Sequence, residues 1–289
     1  GEGRCGFTKK FVNSYLMADG TRFTDKPDYD KIEFVNEVSG RDPRLAQTIR
    51  TTKGLNFSNC ITGYQPHKYI VEANLGSSAA SYNDLPLFRM AEVYLNYAEA
   101  KAELGEITQG DLDISVNKIR ARAKMPNLNL KVANDSPDPY LSSAETGYTN
   151  VTGANKGVIL EIRRERNIEL VLESQNRWWD LMRWKEGACI GQKMEGLYIP
   201  ADKIGKAYDV NGDGNADICV YSGTQPSVKE NVTWFNLDTD YKLSEKGSGK
   251  IVFFSDIVRK WNEERDYFYP IPKEDIILTG GKIEQNKGW

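Results

Sequence analysis

Residues 155–186 read NKGVILEIRRERNIELVLESQNRWWDLMRWKE, and the fold turns on how they are read. No Gly or Pro falls between Val158 and Glu186, and Leu, Glu and Arg dominate. All three are good helix formers. The spacing predicts one long helix that stops at Gly187, where a left-handed cap would sit. Ile159, Ile162, Arg166, Glu169, Leu170, Glu173, Arg177 and Asp180 recur in steps of three and four and so share one broad face. The charges on that face alternate in sign. Glu169, Glu173, Arg177 and Asp180 are therefore expected to pair along the helix or with neighbouring helices. Leu172, Trp179 and Met182 are expected to extend a second, buried face, because three Trp in this stretch carry too much apolar surface to leave wet. The expectation is a core helix with partly buried ion pairs rather than a catalytic carboxylate pair.

The rest of the chain is long enough to surround such a helix. With 289 residues it can bury a large core as one domain or two. Net charge is −3 and no Lys/Arg block stands out, which speaks against a nucleic-acid partner. No apolar run approaches the ~20 residues that a transmembrane helix needs. Residues 1–6 lack the regions of a signal peptide, so the chain is expected to have been cut or to begin within a longer protein. Four scattered Cys (Cys5, Cys60, Cys189, Cys219) form no CxxC pair, and free thiols are expected. The single His, His67, lies in a Gly- and Pro-containing segment and is a weak candidate for catalysis. Fifteen Tyr and six Trp exceed what a core of this size needs, and both residue types suit interfaces and ligand platforms.

Outward from the central stretch, two amphipathic helices are expected at about 85–105 and 111–124, separated by Gly105. Phe88, Ala91, Leu95, Ala98 and Ala102 mark the buried face of the first. The pair resembles one tetratricopeptide unit, with no second copy at a fixed period. Phe11 to Leu16 can open a helix, Asp19-Gly20-Thr21 signals a turn, and Thr48-Ile49-Arg50 reads as a short strand. Residues 127–154 read as an exposed loop. Residues 51–83 are loop-like and hold Phe57, Tyr64 and Tyr69, which invite a ligand reading beside the alternative of a long loop packed onto the helices. Residues 188–265 lose the helical pattern, with Ile251 to Phe254 as a strand. Within them Asp209, Asn211, Asp213, Asn215 and Asp217 alternate with Gly212 and Gly214. Oxygen ligands at alternate positions in a Gly-containing loop suit Ca²⁺. Val220 stands where an EF-hand loop has its bidentate Glu, so an Asx-rich turn without metal is the other expectation.

Five separated segments carry a resemblance. They are Glu165-Arg166-x-x-Glu169-Leu170 with Glu173, Arg177, Trp178, Asp180, Leu181, Arg183 and Trp184; then Tyr15, Met17, Asp19 and Gly20 with Arg41 to Leu45 and Thr48-Ile49; then Glu92 to Ala100; then Pro270-Ile271-Pro272; and finally Gln285-Asn286-x-Gly288-Trp289, where Lys287 replaces a usual Pro. Together these are similar to the C-terminal portion of the SusD/RagB family, outer-membrane nutrient-binding lipoproteins of Bacteroidetes. The resemblance implies a mainly α fold: a tetratricopeptide-like scaffold at about 85–186 and 266–289, with loop-rich regions at about 1–83 and 188–265 and a little β structure in the insertions. It implies that the family's N-terminal portion lies outside this sequence.

It also implies non-catalytic capture of glycans, or of peptides in the RagB branch, for a SusC-like TonB-dependent transporter. Localisation would be the outer face of the outer membrane, through a lipid anchor outside this chain. In the family the neighbourhood of the Arg41-Asp42-Pro43-Arg44 stretch contributes aromatic residues to the sugar platform, which points to Tyr64, Phe57 and Tyr29, with Trp234 from the later loop. No catalytic residue is expected. A glycoside hydrolase, the rival class, needs two carboxylates roughly 5–10 Å apart in a cleft, and the helical acids have Arg neighbours that keep them ionised. A helical protein-interaction scaffold is the third class, and predicts a protein partner without a small ligand.

Overall fold

The computed structural model describes residues 6–51, 57, 60–70, 83–173 and 176–289. The helices run α1 Lys9–Asn13, α2 Phe34–Glu37, α3 Arg44–Thr48, α4 Met90–Glu103, α5 Gln109–Asp113, α6 Val116–Arg122, α7 Leu130–Asp135, α8 Pro139–Ser142, α9 Lys156–Glu169, α10 Asn176–Arg183 and α11 Lys273–Leu278. The strands are β1 Met194–Ile199, β2 Ala207–Tyr208, β3 Ile218–Tyr221, β4 Thr233–Asn236, β5 Lys242–Glu245 and β6 Ser248–Phe253. They form two three-stranded sheets, ordered β1-β6-β5 and β2-β3-β4. The first is antiparallel, and in the second only β3 and β4 run parallel. Of the strand expected at 251–254, residues 251–253 end β6, and Phe254 lies beyond it at a left-handed φ of 52°.

Apolar side chains gather into two main cores. The helical core joins Ala91, Leu95, Ala98 and Ala102 of α4 to Val158, Ile159, Leu160 and Ile162 of α9. The small Ala side chains on α4 let α9 approach. On the other side of α9, Gly157 lies so close to α7 that an added Cβ would sit 1.8 Å from the Ala133 carbonyl oxygen. The second core is mixed. It gathers Val12, Tyr15, Phe34, Leu45 and Ile49 from the first fifty residues with Leu197, Ile218, Phe235 and Ile251 from the sheets, and Ile168 reaches it from α9.

Several expectations are corrected. The central stretch is not one helix. Leu172 takes a left-handed φ of 60°, the chain folds back, and α10 begins at Asn176. The fold-back brings Asp180 to 2.7 Å from Arg166. On one continuous helix those residues would be about 21 Å apart, since each residue rises 1.5 Å. The expected second buried face fails with it: Leu172 is 50% and Trp179 52% exposed, while Met182 packs on the helical core. Phe88 is exposed too, because Arg89 is still extended and α4 starts at Met90. Residues 111–124 divide into α5, opened by a Thr108/Asp111 capping box, and α6. Of the strand expected at Thr48-Ile49-Arg50, Thr48 instead ends the helix Arg44–Thr48 and Ile49 makes only an isolated bridge to Pro66. Residues 127–154 hold α7 and α8 and bury Leu128, Leu141, Tyr148 and Val151.

Glu169, Glu173 and Asp180 are paired as expected, mostly to other elements, but Arg177 makes no ion pair among the described residues and donates to the Tyr148 hydroxyl instead. Glu165 is held by Arg44 at 2.9 Å and Arg120 at 2.7 Å. Glu169 takes Arg44 at 3.2 Å, with Arg89 and Arg122 each at 2.6 Å. Glu161 meets Arg120 and Arg164, each at 3.1 Å, and Arg164 continues to Asp138. Burial alone would raise the Glu165 pKa, but Arg44 and Arg120 outweigh it and hold the carboxyl at about 2. Its folded pKa lies below the unfolded carboxylate value of about 4.3. The stabilisation is therefore complete above that value and is lost as pH falls toward 2. Thermal melts from pH 5 to pH 2 should show Tm falling, and the fall should be shallower in Glu165→Gln. Equal slopes in the two proteins would show that Glu165 is not an ionised partner of these arginines.

Candidate ligand-binding site

Several concavities among the described residues carry aromatic side chains. The first, about 580 Å³, lies where α1, α8 and β1 meet. Its aromatic part is Tyr29 and Tyr140, edge to face with ring centroids 5.9 Å apart and planes at 88°. Tyr29 sits in a 3₁₀ turn, Tyr29–Lys31, entered through Asp28 at a left-handed φ of 51°. Tyr140 is the second residue of α8. That helix has Pro139 in its first position and is capped by Asp138, whose carboxylate accepts from the Tyr140 and Leu141 amides at 2.7 and 3.2 Å. Pro fits there because its missing N–H is an orphan of the helix start in any case.

Polar groups complete this hollow. Asn13 is 4% exposed, and its amide nitrogen donates to the Tyr140 hydroxyl at 3.3 Å. Its Oδ1 has no partner. Exchanging the two ends of the amide would leave the NH₂ end unpaired instead, so one polar end faces a missing partner in either orientation. An unpaired buried polar atom costs roughly 1–3 kcal/mol unless something binds it. Gln192, Glu195 and Lys250 also line the wall, and Lys250 holds Glu195 at 2.9 Å. Burial pushes the Tyr140 hydroxyl well above the usual tyrosine range, so it is a neutral donor and acceptor.

Of the expected ligand residues, Tyr29 lines this hollow and Trp234 lines another. Trp234 is half-buried on β4, edge to face with Tyr221 at 5.9 Å. It borders a shallow groove of about 820 Å³ with Asp238, Asp240 and Asp256. Those carboxylates are occupied locally: Asp238 by Ser222 and Gly223, Asp240 by the Asn236 amide, Asp256 by Lys242.

Tyr64 and Phe57 are not platforms. Tyr64 is fully buried, donates to Glu37 at 2.8 Å and lies 6.1 Å from the Phe34 ring. Phe57 is 2% exposed and packs on Phe235. The segment at 60–66 carries Tyr64 inward because it is clamped on both sides. The Leu197 amide bonds Thr62 at 2.9 Å, and the Phe7 amide bonds Tyr64 at 3.0 Å. Gly196 of β1 permits the approach, since a Cβ there would lie 2.5 Å from the Thr62 carbonyl oxygen. Asn13, Tyr140 and Gln192 were missed. The Asp138-Pro139 cap was the one local signal that Tyr140 is held in place.

The Asx loop is closed by its own bonds. Asp209 accepts from the amides of Gly212, Asp213 and Gly214, Asn211 from Asp213, and Asp217 from Val210. Burial, with repulsion from Asp209 and Asp213, raises the Asp217 pKa. Among the described residues no three His, Cys, Asp or Glu converge as metal ligands. Cys60, Cys189 and Cys219 are buried, Cys189 and Cys219 are free, and Cys5 lies outside the described residues.

Comparison with known proteins places the chain. The model of the SusD family matches residues 51–289, and the chain belongs to that family. A SusD-like carbohydrate-binding protein from Bacteroides fragilis is 27% identical, with a TM-score of 0.50 over 72% of this chain and 42% of its own. A second SusD-like protein from B. fragilis shares the fold at 20% identity, with a TM-score of 0.56 over 98% of this chain and 47% of its own. The chain therefore spans less than half the length of either structure. No curated protein matches the sequence.

Removing the Tyr64 hydroxyl tests the correction made above. Tyr64→Phe should lose roughly 1–3 kcal/mol by urea titration, since Glu37 loses a buried donor. Ligand affinity should not change. A variant as stable as wild type would mean the ring is not locked in the core.

Proposed function

We propose that this chain forms the binding part of a non-catalytic, cell-surface glycan-capture protein. The observation that carries this is the hollow of Tyr29, Tyr140 and Asn13. Two tyrosine rings stand at its wall, and an unpaired amide end waits beside them. Sugars offer apolar C–H faces to rings and hydroxyls to amides, so such a wall suits them and needs no nucleophile. Family membership and the carbohydrate-binding relative at 27% identity support the same reading. The captured glycan would pass to a SusC-like TonB-dependent transporter at the outer membrane, with a lipid anchor outside this chain. Among the described residues no helix is long and apolar enough to cross a membrane. The helical carboxylates support a binder over a hydrolase. An acid held at about 2, as Glu165 is, stays ionised near neutral pH and cannot protonate a leaving group.

The test is calorimetric titration against a panel of neutral oligosaccharides. Tyr29→Ala should weaken the best ligand about tenfold or more, on the scale of one to three kcal/mol for a stacking ring, with Tm nearly unchanged. Trp234→Ala run in parallel reports on the β4 groove. If both variants bind as wild type does, the sugar platform is elsewhere.

Calcium at the Asp209–Asp217 loop is a second proposal, supported by oxygen donors at alternate positions, Asp209, Asn211, Asp213, Asn215 and Asp217, in a Gly-containing loop. Calcium at about a hundred times its Kd would add roughly 2.7 kcal/mol. Tm should rise with calcium in wild type and stay fixed in Asp213→Ala. The same Tm with and without millimolar calcium would sink the idea.

A further inference from the structure

The fold-back between α9 and α10 leaves another cavity, of about 450 Å³. It shares Lys10, Tyr140 and Thr146 with the tyrosine hollow. Its walls carry Phe7, Phe11 and Tyr148, and its charged groups are unevenly matched. Glu173 and Asp180 line it but are spent: Glu173 on Lys68 and Arg89, each at 2.5 Å, and Asp180 on Arg166 at 2.7 Å and Arg183 at 3.1 Å. Lys10 and Arg177 are the reverse case. The Lys10 ammonium donates to the Gln192 side-chain carbonyl, and Arg177 to the Tyr148 hydroxyl at 2.8 Å. Both partners are neutral. Among the described residues neither cation makes an ion pair, whereas the buried Arg44, Arg120, Arg163, Arg164 and Arg166 all do.

A third cation stands behind Gln192. Arg259 donates to its backbone carbonyl at 2.6 Å, and the Arg259 Nε has no partner. Cys189 does not supply the missing anion. Burial raises its pKa, and its thiol donates to the Gly147 carbonyl at 3.3 Å. Across the shared wall, Glu195 is held by Lys250. Lys10 and Arg177 are half-buried, and the Arg177 guanidinium also lies 5.4 Å from the Tyr148 ring and 6.0 Å from the Trp184 ring; among the described residues neither cation has a carboxylate to balance it.

We propose that this cavity binds a carboxylate between Lys10 and Arg177, with Phe7, Phe11 and Tyr148 covering the apolar part of the molecule that bears it. Arg presents a planar set of donors that suits a carboxylate, and Lys adds a compact charge. The carboxylate can come from a uronic acid of a glycan or from a free organic acid. The proposal does not rest on the glycan reading of the tyrosine hollow.

Burial, opposed in part by Cys189 and then reinforced by Arg177 and Arg259, brings the Lys10 pKa down to about 8. Lys10 is therefore charged at pH 7 and loses its proton on the way to pH 9.5, while both arginines keep theirs. Carboxylate affinity must fall over that interval.

The experiment titrates the protein with sodium glucuronate, glucose and sodium acetate by calorimetry at pH 7 and pH 9.5, and repeats pH 7 with Lys10→Met. Glucuronate should bind wild type about tenfold or more tighter than glucose at pH 7, as expected for bonds to charged groups. The advantage should shrink at pH 9.5 and in Lys10→Met. Acetate much weaker than glucuronate assigns the site to sugar acids, and acetate equal to it assigns the site to free acids. Glucuronate no tighter than glucose at pH 7, or an affinity flat to pH 9.5 in wild type, overturns the proposal without any variant needing to fold. Tyr29→Ala separates the two ideas, because it should weaken neutral oligosaccharides and leave glucuronate at the cation pair.

Discussion

The carboxylate of Glu165 lies on a residue only 1% exposed, yet it is held ionised by two arginines from opposite sides. Arg44 comes from α3, among the first fifty residues, and belongs with the mixed core. Arg120 comes from α6 and belongs with the helical core. One side chain of α9 therefore fixes where the two cores sit relative to each other. Such a network is weak evidence of net stability, because desolvating the ions costs about as much as pairing them returns. It is strong evidence of specificity, since any other docking of α3 on α9 would strand a buried charge.

The same network reaches the candidate site. Glu161 passes through Arg164 to Asp138, and the other oxygen of Asp138 caps α8. Tyr140 follows from that cap, and Tyr140 in turn holds Asn13 at 3.3 Å. The tyrosine hollow is thus set at the end of a chain of charge and hydrogen bonding that begins on α9. Residues such as Glu165, Glu169 and Asp180 act as scaffold, and the residues offered to a ligand lie on the short elements that the scaffold positions. This division suits a binding protein, in which a fixed frame can carry different surfaces. Two neighbouring cavities differ in charge: Lys250 holds Glu195 in one, and in the other, which shares Lys10 with the first, Arg177 makes no ion pair among the described residues.

The failures at the level of single residues share a cause. Tyr64 and Phe57 lie in a polar, irregular segment, which suggested exposure. Tyr64 is buried because Gly196 of β1 admits its segment and the Phe7 amide closes it from the other side, and Phe57 packs on Phe235 of β4. These contacts join residues far apart in sequence, so no local pattern could show them. Trp179 failed in the opposite direction. Its apolar bulk argued for burial, but the turn at Leu172 rotates α10 and leaves it half in water. That turn has no Gly or Pro to mark it.

What the sequence by itself determined is the part set by short-range periodicity and by motif: helices where apolar residues recur every three or four positions, a strand through 251–253, alternating charges of which Glu169, Glu173 and Asp180 are paired, and membership of a family whose signature segments appear in order. These depend on residues within a turn or two of one another, or on strings that can be read directly. Tertiary structure alone decided which partner each charge took, where the central helix broke, and which aromatic rings remained at the surface. Each of those is settled by a competition between distant groups for the same buried space. Arg166 reaches Asp180 only once the chain has reversed, and Asn13 meets Tyr140 only once α1 has packed beside α8.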